Sequence, residues 1–123
     1  MRVLCVDDDR INLMLFANAC AAMPGLQLTT AADGAEALEA AKAQAPQLLV
    51  IDLHLPDTDG HALLHLLRRE ATLADVPAFL FSADDPQSLR QPALDAGFSG
   101  CWSKPMDSQT LRRELAGLGF AGG

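Results

Sequence analysis

Leu48-Leu49-Val50-Ile51-Asp52 is the stretch on which the fold turns, an unbroken apolar run closed by a carboxylate. A run that is apolar at every position suits a strand covered on both faces, as in parallel sheets wrapped by helices. Three other runs share its form. Val3-Leu4-Cys5-Val6 leads into Asp7 and Asp8, Phe79-Leu80-Phe81 into Ser82, and Cys101-Trp102-Ser103 into Lys104-Pro105. If these are neighbouring parallel strands, their ends converge on one rim of the sheet, the rim where open α/β sheets bind ligands. That rim would carry the carboxylates of Asp7, Asp8 and Asp52, the Ser82 hydroxyl and the Lys104 ammonium. Clustered carboxylates repel one another unless something positive sits among them. Mg²⁺ suits, because it takes one or two carboxylates, keeps waters and shares phosphate oxygens. Asp52 could then attack phosphorus as a nucleophile, with Lys104 and the metal neutralising the transferring group and Ser82 donating a hydrogen bond to it.

Outward from the central run, strand-like and helix-like patterns alternate along the whole chain. Asp8 or Asp9 can cap a helix over roughly 10–23, stopped by Pro24-Gly25. Leu26 to Thr30 alternates like a second strand. Asp33 with Glu36 forms a capping-box pattern for an Ala-rich helix to about Ala45, closed by Pro46. Beyond Asp52 a polar turn, Pro56-Asp57-Thr58-Asp59-Gly60, leads into a helix with Leu63, Leu66 and Leu67 on one face. A fourth strand spans about 76–82, and Pro86 opens a helix ending near Gly97. Pro92 falls inside it and predicts a kink, or a helix that starts only near Pro92. Ser99 to Ser103 makes the fifth strand, and a last helix from Asp107 carries Leu111, Leu115 and Leu118. The alternation with short connections predicts an α/β fold: a single doubly wound (βα)5 domain, a five-stranded parallel sheet with helices on both faces. Its expected bounds are residues 1–120, with a frayed tail at 121–123.

Composition narrows the function. The chain has 123 residues, one domain's length, half of them apolar and with no Tyr. The net charge of −7 leaves no basic stripe for nucleic acid. No apolar stretch approaches the ~20 residues of a membrane span, and the start Met1 to Asp7 lacks a signal peptide's pattern. Cys5, Cys20 and Cys101 show no metal-ligand spacing and read as reduced, mostly core residues of a cytoplasmic protein. Lysine occurs only at positions 42 and 104, so a lysine at a strand end in so acidic a chain asks for a reason. Taken singly, an Asp after a strand is as often a helix cap, Ser82 is more often a turn residue and Lys104 is most often a surface charge. Their conjunction in chain order is what carries the signal.

These residues resemble the receiver domain of bacterial two-component response regulators, over nearly the whole chain. The matching pieces are Val6-Asp7-Asp8-Asp9 with Asn12, Ile51 to Gly60, Phe81-Ser82-Ala83-Asp84, Ala96-Gly97-Phe98 and Ser103-Lys104-Pro105. The resemblance implies a CheY-like, flavodoxin-like sheet in which Asp52 accepts a phosphoryl group from a phosphohistidine on a histidine kinase or histidine phosphotransfer protein. It implies Mg²⁺ held by Asp8, Asp52 and the His54 backbone carbonyl, with Asp7 acting largely through water. Ser82 and Lys104 would sense the phosphoryl group, and the peptide before Pro105 would be cis. Such a domain is not an enzyme acting on a separate substrate; it assists its own phosphorylation and dephosphorylation and passes the signal to a downstream protein target. Nucleic acid and membrane are not expected partners, and homodimerisation is left open.

One position departs from the family's pattern. Cys101 stands where the family usually has Tyr or Phe, an aromatic that swings inward with the Ser/Thr, and strand alternation sends the neighbouring Trp102 to the opposite face. His54 and Asp84, each two residues beyond a site residue, could flank water approaching the phosphoryl group. His61 and His65 lie one helical turn apart and read as surface histidines. On the first helix, Ile11, Leu13, Met14, Leu15 and Phe16 make more than one buried stripe. Leu13 and Met14 are therefore expected to face solvent and dock a partner. The 18 residues after Pro105 suffice for a final helix, so no output domain is expected in this chain, which suits either a single-domain regulator or the receiver of a hybrid kinase. Other classes fit less well. An aspartyl-nucleophile phosphatase wants a carboxylate where His54 stands. A nucleotide- or flavin-binding sheet wants a Gly-rich loop where Asp7-Asp8-Asp9 stands. A phosphorylation-independent pseudo-receiver would not need the acid cluster.

Overall fold

Strand and helix alternate throughout the computed structural model, which describes residues 1–120; the expected fraying of 121–123 falls outside the described residues. The elements are β1 (Arg2–Val6), α1 (Arg10–Ala21), β2 (Gln27–Ala31), α2 (Gly34–Ala43), β3 (Leu48–Asp52), α3 (Gly60–Leu67), a 3-10 turn (Ala71–Leu73), β4 (Ala78–Ser82), α4 (Pro86–Asp95), β5 (Gly100–Ser103) and α5 (Ser108–Gly117). All strand pairs are parallel, in the order β2-β1-β3-β4-β5. The chain leaves β1 in one direction and β3 in the other, so the crevice for a ligand opens at the carboxyl ends of these two strands.

Alternation along the strands sorts the core into two layers. On one side Leu4, Val6, Leu49, Ile51, Ala78 and Leu80 pack against Ala37 and Ala41 of α2, Leu63, Leu64 and Leu67 of α3, and Ala93 of α4. On the other, Val3, Cys5, Leu48, Val50, Phe79, Phe81 and Trp102 pack against Phe16, Ala19 and Cys20 of α1 and Leu111 and Leu115 of α5. β3 and β4 are buried at every position, which accounts for their unbroken apolar sequence. Each fully buried leucine contributes roughly 1.5–3 kcal/mol, so the three in α3 fix that helix firmly on the sheet.

Caps set the helix starts. Asp9, Asp33, Asp59, Asp85 and Asp107 each accept backbone N–H bonds at the first turn of α1 to α5 in turn. Several expected boundaries move by one or two residues: α1 and α2 end earlier, at Ala21 and Ala43, while β2, β4 and β5 begin later, at Gln27, Ala78 and Gly100. Two expectations need larger correction. Leu66 is among the exposed apolar side chains, and Leu64 takes its place in the core, because the buried arc of α3 is set by Leu63 and Leu67. α4 starts at Pro86 and runs unbroken through Pro92, not from Pro92 onward. The carbonyl that Pro92 leaves without its helical donor belongs to Ser88, an exposed residue where water can take the bond.

Candidate functional site

The rim at the ends of β1 and β3 gathers the predicted residues. Val6 pairs in register with Ile51, so the next residues, Asp7 and Asp52, stand at the same level on the rim. Asp7 continues the ladder, its N–H donating to the Ala31 carbonyl at 3.0 Å. Its Oδ1 accepts the Asp9 N–H at 2.9 Å, closing a tight turn, and Asp9 is spent as the α1 cap. The adjacent acids therefore have three different fates. Asp7 is fully buried, Asp9 holds a helix, and Asp8 is left exposed at the cleft mouth.

Lys104 supplies the positive charge. Its Nζ lies 2.7 Å from Asp7 Oδ2 and 3.2 Å from Asp52 Oδ1. Asp7 Oδ2 makes no hydrogen bond of regular geometry, so this ion pair is what answers its buried charge. The ammonium also stands 5.3 Å from the centroid of the Phe81 ring. Burial opposes the lysine's charge, but Asp7 and Asp52 outweigh it and hold its pKa above the usual lysine range. For Asp52, burial pushes the carboxyl up and Asp7 adds to the rise, while Lys104 and the His54 N–H act against it. The Lys104–Pro105 peptide is cis, as the resemblance implies.

Asp52 sits at the floor of the cleft because α3 starts directly beneath it. A Cβ on Gly60 would lie 2.6 Å from the Asp52 carbonyl oxygen, so only glycine allows this approach. The Gly60 N–H donates to the Leu53 carbonyl at 2.8 Å, and His54 bridges to Asp59, which closes the loop carrying His54. Across the cleft, Ser82 Oγ accepts the Asp84 N–H at 3.0 Å, which leaves the hydroxyl hydrogen free to donate. The cleft has a volume of about 330 Å³ and is lined by Asp7, Asp8, Asp9, Asn12, Asp52, His54, Ser82, Ala83, Asp84 and Lys104. Carboxylate oxygens from Asp7, Asp8 and Asp52, one from each, all lie within 4.8 Å of one another. An all-oxygen set of this kind, open to water on one side, fits a hard divalent cation such as Mg²⁺.

Every residue proposed for the site from sequence thus meets at one cleft, Asp7, Asp8, Asp52, His54, Ser82 and Lys104 alike. The flanking residues His54 and Asp84 line it and are exposed. Cys101 faces the α4 side while Trp102 is buried on the α1/α5 side, as alternation predicts. Burial, with some relief from Arg90, raises the Cys101 thiol pKa. Cys5 and Cys20 are buried free thiols, and burial pushes the latter up to about 11. The α1 patch is corrected: Leu13 packs into the core, and the exposed residues are Ile11, Met14 and Leu15, 65%, 59% and 37% accessible. Ile11, Met14 and Leu15 follow i, i+3, i+4 spacing and share one face. His61 is also less exposed than expected, its ring 5.9 Å from Phe98 and its Nε2 buried without a partner; His65 is at the surface. In the sequence Asp57 reads as one more turn residue, and only the fold shows what its carboxylate holds.

Among the described residues, no helix is long and apolar enough to cross a membrane. Comparison with known proteins gives a consistent picture. The response regulator MprA of Mycobacterium leprae is 34% identical over 118 residues, 96% of this chain and 50% of MprA. The sensor histidine kinase RcsC of Salmonella typhimurium is 31% identical over 116 residues, 94% of this chain and 12% of RcsC. The chain therefore spans half or less of the length of these curated relatives. The structure of the chemotaxis response regulator CheY4 of Vibrio cholerae superposes with a TM-score of 0.85, covering 95% of this chain and 97% of CheY4, and at 24% identity it attests the fold. The family model described as the response regulator receiver domain matches residues 3–116. The chain belongs to the response regulator receiver domain family, the phosphoacceptor modules of two-component signal transduction.

Proposed function

We propose that Asp52 is the phosphoacceptor and that the cleft around it performs the transfer. The observation that carries this reading is the position of the Asp52 carboxylate, at the floor of an open cleft, 3.2 Å from the Lys104 ammonium and beside two further acids. An Asp52 oxygen attacks phosphorus, the P–N bond to the donor imidazole breaks, and the bonding pair leaves with the histidine. Lys104 neutralises one oxygen of the group in flight, and the free Ser82 hydroxyl donates to another. Asp8, Asp52 and the His54 carbonyl would hold Mg²⁺ directly, with Asp7 contributing through water. When bound, the ion supplies the charge that offsets the clustered carboxylates and the phosphoryl oxygens.

His54 and Asp84 border the open side of the cleft and are placed to govern water's approach to the aspartyl phosphate, and hence its lifetime. The donor would be the phosphohistidine of a histidine kinase or phosphotransfer protein, docked against the exposed Ile11, Met14 and Leu15 beside the cleft. Phosphorylation would then alter a surface read by a downstream protein.

Intact-protein mass after incubation with Mg²⁺ and acetyl phosphate tests the reading. Wild type should gain one phosphoryl group, and Asp52→Asn none. A wild-type protein that neither gains the group nor binds beryllofluoride with Mg²⁺ would instead act as a pseudo-receiver.

A further inference from the structure

The loop that carries His54 is tied to the neighbouring helix α2, which lies on the same side of the sheet as α3. Asp57, at the tip of the β3–α3 loop, accepts the Gly34 N–H on Oδ1 at 2.9 Å and the Ala35 N–H on Oδ2 at 3.1 Å. These are two of the orphan donors at the start of α2, and they differ from the one that Asp33 satisfies, the Glu36 N–H. The contact is close-fitting on both sides. A Cβ on Gly34 would lie 2.8 Å from Thr58 Cγ2 and 3.3 Å from Asp57 Oδ1, so the absence of a side chain at Gly34 is what lets the loop seat. Within the loop, the Leu55 N–H donates to the Thr58 carbonyl at 3.1 Å, so the tip is a closed turn. Asp57 faces solvent, yet the Gly34 N–H, with that of Ala35, holds its carboxyl below the usual range, so the clamp is charged near neutrality.

We infer that Asp57 is a positioning residue for the metal-binding half of the cleft: by clamping the loop tip to α2, it fixes the His54 carbonyl beside Asp52. The inference rests on the proposed Mg²⁺ site. Asp57 itself touches neither metal nor phosphoryl group. Groups one step removed from a metal set its affinity by orienting the ligands that touch it. The His54–Asp59 bridge and the packing of Leu53 and Leu55 hold the base of the loop, which leaves its tip free to pivot about them. Two charge-assisted bonds at its far tip remove that freedom. The clamp also gives α2 a direct mechanical link to the site, which packing beneath the sheet does not supply.

Titration calorimetry with Mg²⁺ alone, on wild type, Asp57→Ala and Asp57→Asn, tests the inference. Asp57→Ala should bind Mg²⁺ about tenfold more weakly. Asp57→Asn, which keeps one acceptor oxygen for α2, should recover part of the loss. In the same samples, NMR should show the Gly34 and Ala35 amides exchanging faster in Asp57→Ala while the β3 amides stay protected, which separates loosening of the loop from unfolding. If Asp57→Ala fails to fold, Asp57→Asn against wild type carries the test. Unchanged Mg²⁺ affinity in folded variants whose Gly34 and Ala35 amides are freed overturns the positioning role and leaves the site intact. A wild-type protein that takes no Mg²⁺ overturns both.

Discussion

Cys101 and Trp102 are neighbours in the chain that point to opposite sides of the sheet, and they meet different surroundings. Trp102 stacks on Phe79 with ring centroids 4.3 Å apart, in the layer where Phe16 meets the edge of Phe81 at 5.6 Å. Lys104 rests over Phe81, so this aromatic layer is also the floor under the ammonium. Cys101 lies on the other side, half-buried, where Pro86, Gln87 and Arg90 of α4 border a cavity of about 120 Å³ beside it. α4 buries one residue fully, Ala93, whereas α3 buries Gly60, Leu63, Leu64 and Leu67. One side of the sheet is a packed support for the site, and on the other, α4 is held loosely. Around Cys101 a small side chain leaves room beside α4, a helix that buries one residue fully.

The sharpest way to break this comparison is by truncation on each side. Trp102→Ala should cost about 3–5 kcal/mol in chemical denaturation, whereas Cys101→Ala should cost about 1 kcal/mol or less. Similar losses would erase the contrast. Hydrogen exchange should separate α4 from α3 within the Cys101 side, with α4 amides exchanging roughly tenfold or more faster than those of α3 through local opening. Equal protection would mean that α4 is anchored by something other than its buried face. Acid should give the smallest effect and show no preference for side. Asp57 at α2 and Asp107 at α5 are held below the ordinary 3.8, by the Gly34 and Thr110 N–H groups respectively. A depressed carboxyl stabilises the fold above the unfolded value and loses that contribution as pH falls through the folded one. Thermal melts of Asp107→Ala and wild type should therefore differ near neutrality and converge in strong acid. Asp57→Ala should behave alike, and a one-sided response would show that the helix caps share the asymmetry of the layers.

Much of this was legible in the sequence, and the misses have physical causes. β3 reads correctly to the residue, Leu48 to Asp52, because full burial leaves an unbroken apolar run. The residues named for the site meet at one cleft because each lies at, or within two residues of, a strand end, so topology alone brings them together. Exposure around a helix is harder to read. Leu13 and Leu66 are as apolar as their neighbours, and only the rotation of α1 and α3 on the sheet decides that the first is packed and the second exposed. Pro92 looked disruptive because a rule about lost hydrogen bonds does not say whether water can replace them. The Asp57 clamp was invisible because it joins residues 23 and 22 positions apart, through a carboxylate that local sequence assigns to a turn.

On the proposed function, one carboxylate of the acid cluster, Asp52, takes the phosphoryl group while its neighbours serve the metal. Borohydride reduction of the phosphorylated protein converts an aspartyl phosphate to homoserine, and peptide mass spectrometry then locates it. Homoserine at position 52, with Asp7 and Asp8 unchanged, is the predicted result. Homoserine at position 7 or 8 in a protein that had gained the phosphoryl group would mean that Asp52 is not the acceptor.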